Sequence, residues 1–302
     1  MQTTSAALDR DLLSPEDIVR DLGHLPSSPK VLPRLLDVLR DDRASLDDVV
    51  SLIRVDAGMA ARVLQIGGSA YYTTSQAARC VTMEDAVHRV GLVKVYELVA
   101  YAATSQLLMR TLRAYGLDPD AVWQMSVTGA LAAERLASRI GGDFQHAYTI
   151  GLLHGVGLIA IDAWLTAGES SIEFGWSGLP EETTAAEKKN LGFNNAAVAA
   201  ALLRAWGFPS QITEPVRWQY APAFASGHRR MASILHAAKW LRDAVHTPPD
   251  RALPPAPEKA VLDLIPFEAA DLEVLIDEVK DGVLRASLLL AEPEDDGSPS
   301  MF

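Results

Sequence analysis

The side chains in this chain best suited to chemistry are a histidine and a lysine on two apolar stretches. His154 lies in 147–165, AYTIGLLHGVGLIAIDAWL, and His236 and Lys239 lie three apart in ILHAAKWL, on one helix face. Imidazoles and carboxylates converging on one or two divalent ions would activate a water for hydrolysis. Cations at the same place would instead hold an anion. A metal site needs several donors, and Gly155, directly after His154, has no side chain to offer. A lone histidine on an apolar helix face is usually a core residue, hydrogen-bonded to a carbonyl or a carboxylate. Other groups are weaker candidates. His228-Arg229-Arg230 reads as a solvated helix entry rather than an anion site. Tyr71-Tyr72 fits either an exposed recognition element or groove packing. Trp123, Trp206, Trp218 and Trp240 read as core or groove lining, and Cys80 has no local histidine to activate it.

The elements that must position these residues are helices. Stretch 147–165 carries Ile150, Leu153, Val156, Ile161 and Leu165 at helix spacing, so it reads as one helix buried on nearly every side. Its His154 and Asp162, its glycines and its marginal length argue against a membrane span. Ser14-Pro15-Glu16-Asp17, Ser28-Pro29, Ser45 with Asp48, Thr82 with Asp85 and Asp118-Pro119 all read as helix starts. A long helix is expected over about 92–113, another from Asp118-Pro119 to about Ile140, then helices over 181–191, 195–206, 211–220, 228–245, 259–265 and 268–290. No sustained alternation marks a strand, and there is no internal repeat and no phosphate-cradling glycine loop. The fold class is therefore all-α.

The totals narrow the function classes. With 49% hydrophobic residues among 302, the chain can bury a sizeable core. A formal net charge of -12 argues against a phosphate-backbone binder, so no nucleic-acid partner is expected. The single cysteine excludes an internal disulfide and fits a reducing compartment. No signal peptide or membrane segment is read, and the expected location is cytoplasmic.

Several segments, in order, carry a resemblance: LPSSPKVLPRLLDVLRDDRASLDDVVSLIRVDAGMAARVLQIGGSAYY, TMEDAVHRVGLVKVYELVAYAAT, VWQMSVTGALAAERLA, YTIGLLHGVGLIAIDAWL, EKKNLGFNNAAVAAALLRAWGFPSQITEPVRWQY and ILHAAKWL. Together, over roughly residues 14–246, they resemble the HDOD family, the HD-related output domain of bacterial signalling proteins. That family is similar in fold to the HD and HD-GYP metal-dependent phosphohydrolases. The resemblance implies an HD-like helical domain packed with an N-terminal helical lobe and C-terminal helices. The expected division is a flexible N-terminus at 1–13, an N-terminal lobe at 14–113, an HD-like lobe at 114–246, a proline-rich connector at 247–258, C-terminal helices at 259–291 and an acidic tail at 292–302.

The resemblance also says where the metal ligands of an HD enzyme would fall, and this chain departs at most of them. The first ligand histidine maps to Met125. The histidine of the His-Asp pair is kept as His154, but the aspartate is Gly155. The histidine after the glycine of NLGFNN maps to Asn194, a later pair of histidines to Gln219-Tyr220, and the final carboxylate to Lys239. Glycine has no donor, Met and Asn are poor ligands for hard ions, and an ammonium repels one. No catalytic residue, metal or cofactor is expected. The expected function is a non-catalytic signal-transduction regulator acting by protein–protein interaction, through a groove that includes Tyr71, Tyr72, His154, His236 and Lys239. Partners would be signalling proteins of two-component or cyclic-di-GMP pathways, and a homodimer is compatible. The alternative is residual nucleotide binding or metal-dependent phosphodiesterase activity.

Overall fold

Helix α1 (Pro15–Asp21) shows how strongly local chemistry fixes the elements. Asp17 accepts from the Ser14 amide at 2.9 Å, and the Ser14 hydroxyl accepts from the Asp17 amide at 3.2 Å, which together form a reciprocal cap. These bonds to Ser14 hold the Asp17 carboxyl below its usual range. Ser45 and Asp48 repeat the device at 2.8 and 3.3 Å ahead of the helix Leu46–Arg54. The computed structural model describes residues 13–22, 31–40, 45–54, 82–176, 180–248, 250–265 and 269–290. The Ser28-Pro29 start, Tyr71, Tyr72 and Cys80 lie outside these described residues.

All regular structure among the described residues is helical. After α1 come α2 (Val31–Arg40), α3 (Leu46–Arg54), α4 (Met83–Val90) and α5 (Leu92–Leu108). The larger part follows with α6 (Pro119–Arg139), α7 (Phe144–Leu153), α8 (Val156–Ala167), α9 (Pro180–Leu191), α10 (Asn195–Ala205), α11 (Ser210–Arg217) and α12 (Arg229–Val245). The chain closes with α13 (Lys259–Leu262) and α14 (Ala269–Leu290). Helices α2 to α5 pack among themselves, and α5 joins them to α6 and α7. In the larger group α6 lies against α7, α12 and α14, while α10 bridges α1, α8 and α11.

Two glycines let backbones meet in this core. A Cβ on Gly151 would run into the backbone of Gly129 on α6, and one on Gly157 into the carbonyl of Asn195 on α10. They set the depth at which α7 and α8 sit between their neighbours. The 24-residue stretch Phe144–Ala167 is long and apolar enough to cross a membrane, but 78% of its apolar window is buried inside the protein.

The structure corrects three expectations. Stretch 147–165 is not one helix: α7 ends at Leu153, His154 and Gly155 form a turn, and α8 starts at Val156. The carbonyl of Gly151 would accept the Gly155 amide in an unbroken helix. Here it is taken by the His154 ring at 2.6 Å, and glycine adds no helix preference to resist the break. The long helix after Gly91 stops at Leu108 rather than near Arg113. Residues 112–117 instead close a tight loop, in which Leu112 and Leu117 pair across a 3₁₀ turn ended by Gly116 at φ 65°. Buried Tyr115 and the bond from the Ala114 amide to Asp162 at 2.8 Å hold that loop on α8. Finally, α13 covers only Lys259–Leu262 of the expected 259–265.

Helix α14 lies on α6 and α12. Leu275 and Val279 are buried, and Arg139 of α6 holds Asp271 at 3.0 Å and Glu278 at 3.2 Å. The proline-rich connector before it is pinned where the Trp240 indole donates to the Pro254 carbonyl at 3.1 Å.

Candidate functional site

The break between α7 and α8 puts His154 at the centre of a polar cluster inside an otherwise apolar core. The residue is 3% exposed. Its Nδ1–H donates to the Gly151 carbonyl, and its Nε2 accepts from Arg242 Nη1 at 3.1 Å. A guanidinium can only donate, so the ring must be the neutral Nδ1–H tautomer. Burial, and then the positive charges of Arg242 and Lys239, push its pKa well below the usual histidine range.

Helix α12 delivers both cations. Lys239 and Arg242 are three apart, so they share a face, and both point inward, 6% and 4% exposed. Arg242 is charge-paired: its Nε and Nη2 meet Asp243 Oδ1 at 2.7 and 2.6 Å, which leaves Nη1 for His154. Among the described residues Lys239 makes no ion pair. Its Nζ donates to Gln219 Oε1 at 2.8 Å and lies 3.5 Å from the centre of the Tyr220 ring. Burial, reinforced by Arg242 and opposed by the carboxylates of Asp243, Glu181 and Glu187, lowers its pKa well below the usual lysine value.

A second layer fixes these partners. Gln219 Nε2 donates to the His154 carbonyl at 3.1 Å and to the Val216 carbonyl at 3.2 Å, so this amide ties α11 to the bend. The Tyr220 hydroxyl donates to Asn195 Oδ1 at 3.1 Å. Asn195 Nδ2 and its backbone amide donate to Glu187, which also accepts from Tyr115 at 2.8 Å. Burial raises the Glu187 carboxyl pKa, and these three donors oppose the rise.

Between these groups lies a void of about 10 Å³, the size of one water molecule. Met125, Gly155, Trp176, Asn195 and Tyr220 line it together with His154, Lys239 and Arg242. A Cβ at position 155 would stand 2.5 Å from Met125 Cε. The methionine methyl therefore fills the space that a side chain at 155 would need.

Most residues expected from the sequence meet here. Met125, His154, Gly155, Tyr220 and Lys239 line the void, and Gln219 bonds two of its members. His236 stands alongside, with its Nδ1 on the Gln219 carbonyl at 3.0 Å, and burial lowers its pKa. Asn194 does not join them. It caps α10, accepting from the Ala197 amide at 3.3 Å, which turns its side chain back on its own helix. Its neighbour Asn195 enters the cluster instead. Arg242, Asn195, Glu187 and Trp176 were missed. Arg242 was readable from its i,i+3 spacing to Lys239; the others depend on contacts between remote elements. The His228-Arg229-Arg230 cluster spends its donors locally, on the carbonyls of Ala223 and Ile140 at 3.1 and 2.9 Å and toward Glu214 at 3.8 Å.

The residues do not fit a divalent metal. Among the described residues, no three His, Cys, Asp or Glu side chains converge on one point. The void wall holds one imidazole, already bonded at both nitrogens, and two cations, but no carboxylate.

Helix order and a His-centred bend define an all-helical, HD-like domain. The family model for the HDOD domain matches residues 25–222. The chain belongs to the HDOD family. Solved structures share the fold. A candidate signal transduction protein from Marinobacter aquaeolei VT8 is 23% identical, with 93% of this chain and 67% of that one covered and a TM-score of 0.68. An HDOD domain protein of unknown function from Geobacter sulfurreducens is 21% identical, with 92% and 99% covered and a TM-score of 0.66. A candidate phosphohydrolase from Shewanella amazonensis SB2B is 23% identical, with 92% and 99% covered and a TM-score of 0.62. No curated protein sequence matches the chain. The matched family span ends before α12, the helix that supplies both cations.

Proposed function

We propose that this chain is a non-catalytic signal-transduction regulator that acts by protein–protein interaction, through an HD-type domain that has lost its metal chemistry. The observation that carries the reading is the inversion of charge at the bend. In place of carboxylates, two buried cations face His154, and Met125 fills the space beside Gly155. At ~4 kcal/mol for two unit charges 4 Å apart at an effective dielectric of 20, each cation would oppose a divalent ion strongly. A domain without hydrolytic chemistry keeps its fold and its surfaces, which suits a partner-binding role. The signalling context is supported by family membership and by the naming of the Marinobacter relative. In this reading the partners are cytoplasmic signalling proteins of two-component or cyclic-di-GMP pathways.

Residual nucleotide binding is the second reading, favoured by Lys239 and Arg242 as buried cations. The void between them is small, about 10 Å³. The test of the first reading is turnover of bis(p-nitrophenyl) phosphate and cyclic dinucleotides with Mn²⁺, Fe²⁺, Mg²⁺ or Zn²⁺. The expected result is no hydrolysis above the protein-free rate. Metal-dependent turnover that is lost in His154→Ala would overturn the proposal.

A further inference from the structure

We propose that the void at the α7–α8 bend is a binding site for a single monatomic anion of halide size, held between Lys239 and Arg242. Three observations carry it. The first is charge: two cations line the void, and among the described residues no carboxylate does. Asp243 pairs with two nitrogens of Arg242, whereas Lys239 makes no ion pair among the described residues and feels Asp243, Glu181 and Glu187 only as charges beyond bonding distance. The second is unused donor capacity. Of the three N–H groups of Lys239, one serves Gln219 and the Tyr220 ring takes up another direction, which leaves one. Arg242 Nη1 carries two hydrogens and spends one on His154. Both spare donors belong to side chains that line the same void. The third is size. At about 10 Å³ the void has room for a small occupant such as a single ion.

A buried ammonium without an ion pair is costly, and an anion beside it offsets that cost. Arg242 cannot relieve the repulsion by losing its proton. The Tyr220 ring face and the Met125 methyl would complete the cage as polarisable walls. The site shares with the proposed function the loss of metal chemistry, but not the protein-interaction role, so hydrolysis assays and halide binding can fail separately.

The test uses the full chain at constant ionic strength, with gluconate replaced stepwise by chloride or bromide. At a tenfold excess over Kd, a saturable rise in Tm of roughly 2–4 °C is expected, and Lys239→Met should abolish it. Bromide-soaked crystals should show an anomalous peak between Lys239 Nζ and Arg242 Nη1. Equal salt responses in wild type and Lys239→Met, or a wild-type map without that peak, overturn the proposal. If Lys239→Met fails to fold, the bromide map alone decides.

Discussion

Two buried pairs of like charge flank α6, and they handle repulsion differently. On one side, Glu97 of α5 meets Glu134 of α6. Burial, and then the neighbouring Glu134, raise the Glu97 carboxyl to about 7, while Lys94 donates to both of its oxygens at 2.7 and 2.6 Å. This pair relieves its repulsion by keeping a proton. On the other side, Lys239 and Arg242 face His154, and the guanidinium cannot give up a proton. Asp243 offsets the guanidinium, and the Lys239 ammonium is relieved by loss of its proton or, on the proposal above, by an anion. The acidic pair is a carboxylate seam between the N-terminal helices and the core, whereas the cationic pair stands where the HD resemblance places a metal. The contrast is between a seam that keeps a proton and a bend where two cations line a small void.

The two regions should respond to pH with opposite slopes. Glu97 has a raised folded pKa, so its contribution is full below about 4.5 and is lost as pH rises through about 7. His154 and Lys239 have lowered folded pKa values, so the folded state binds fewer protons than the unfolded one below 6.5 and 10.5. Their contribution to stability is lost as pH falls below those values.

The largest expected effect breaks both regions together. Gly151→Val drives a side chain into the α6 backbone at Gly129 and should cost about 3 kcal/mol by denaturant unfolding, with both pH signatures weakened. Lys239→Met should go the other way in halide-free buffer and stabilise the protein by about 2–3 kcal/mol at pH 7, with the gain shrinking toward pH 10. A destabilised Lys239→Met would mean that the ammonium is well compensated. Glu97→Gln should remove a loss of about 2 kcal/mol that wild type shows between pH 5 and pH 8. Parallel wild-type and variant curves would place that titration elsewhere. Lys94→Ala, at a partly exposed position, should cost under about 1 kcal/mol at pH 8 and shift the Glu97 titration upward.

What the sequence revealed follows the range of the forces involved. Ser14 with Asp17, Ser45 with Asp48, and Asp118 before Pro119 act within one turn, and each start lies where its residues indicate. The break at His154 was not legible, because it involves a ring that bonds both the Gly151 carbonyl and Arg242, 88 residues away. The inward direction of Lys239 likewise depends on Gln219 and Tyr220 from another helix. Asn194 and Asn195 are indistinguishable as composition. Only the capping geometry sends the first back along its helix and the second into the cluster. Glu97 and Glu134 carried no local signal, since their repulsion arises when α5 packs on α6.

The most direct test of the central claim is the metal content of the full chain, purified without chelator or nickel resin and measured by elemental mass spectrometry. Lys239 and Arg242 facing His154 predict iron, manganese and zinc far below one per chain. One equivalent of any of these, lost in His154→Ala, would contradict the account and return the bend to metal chemistry.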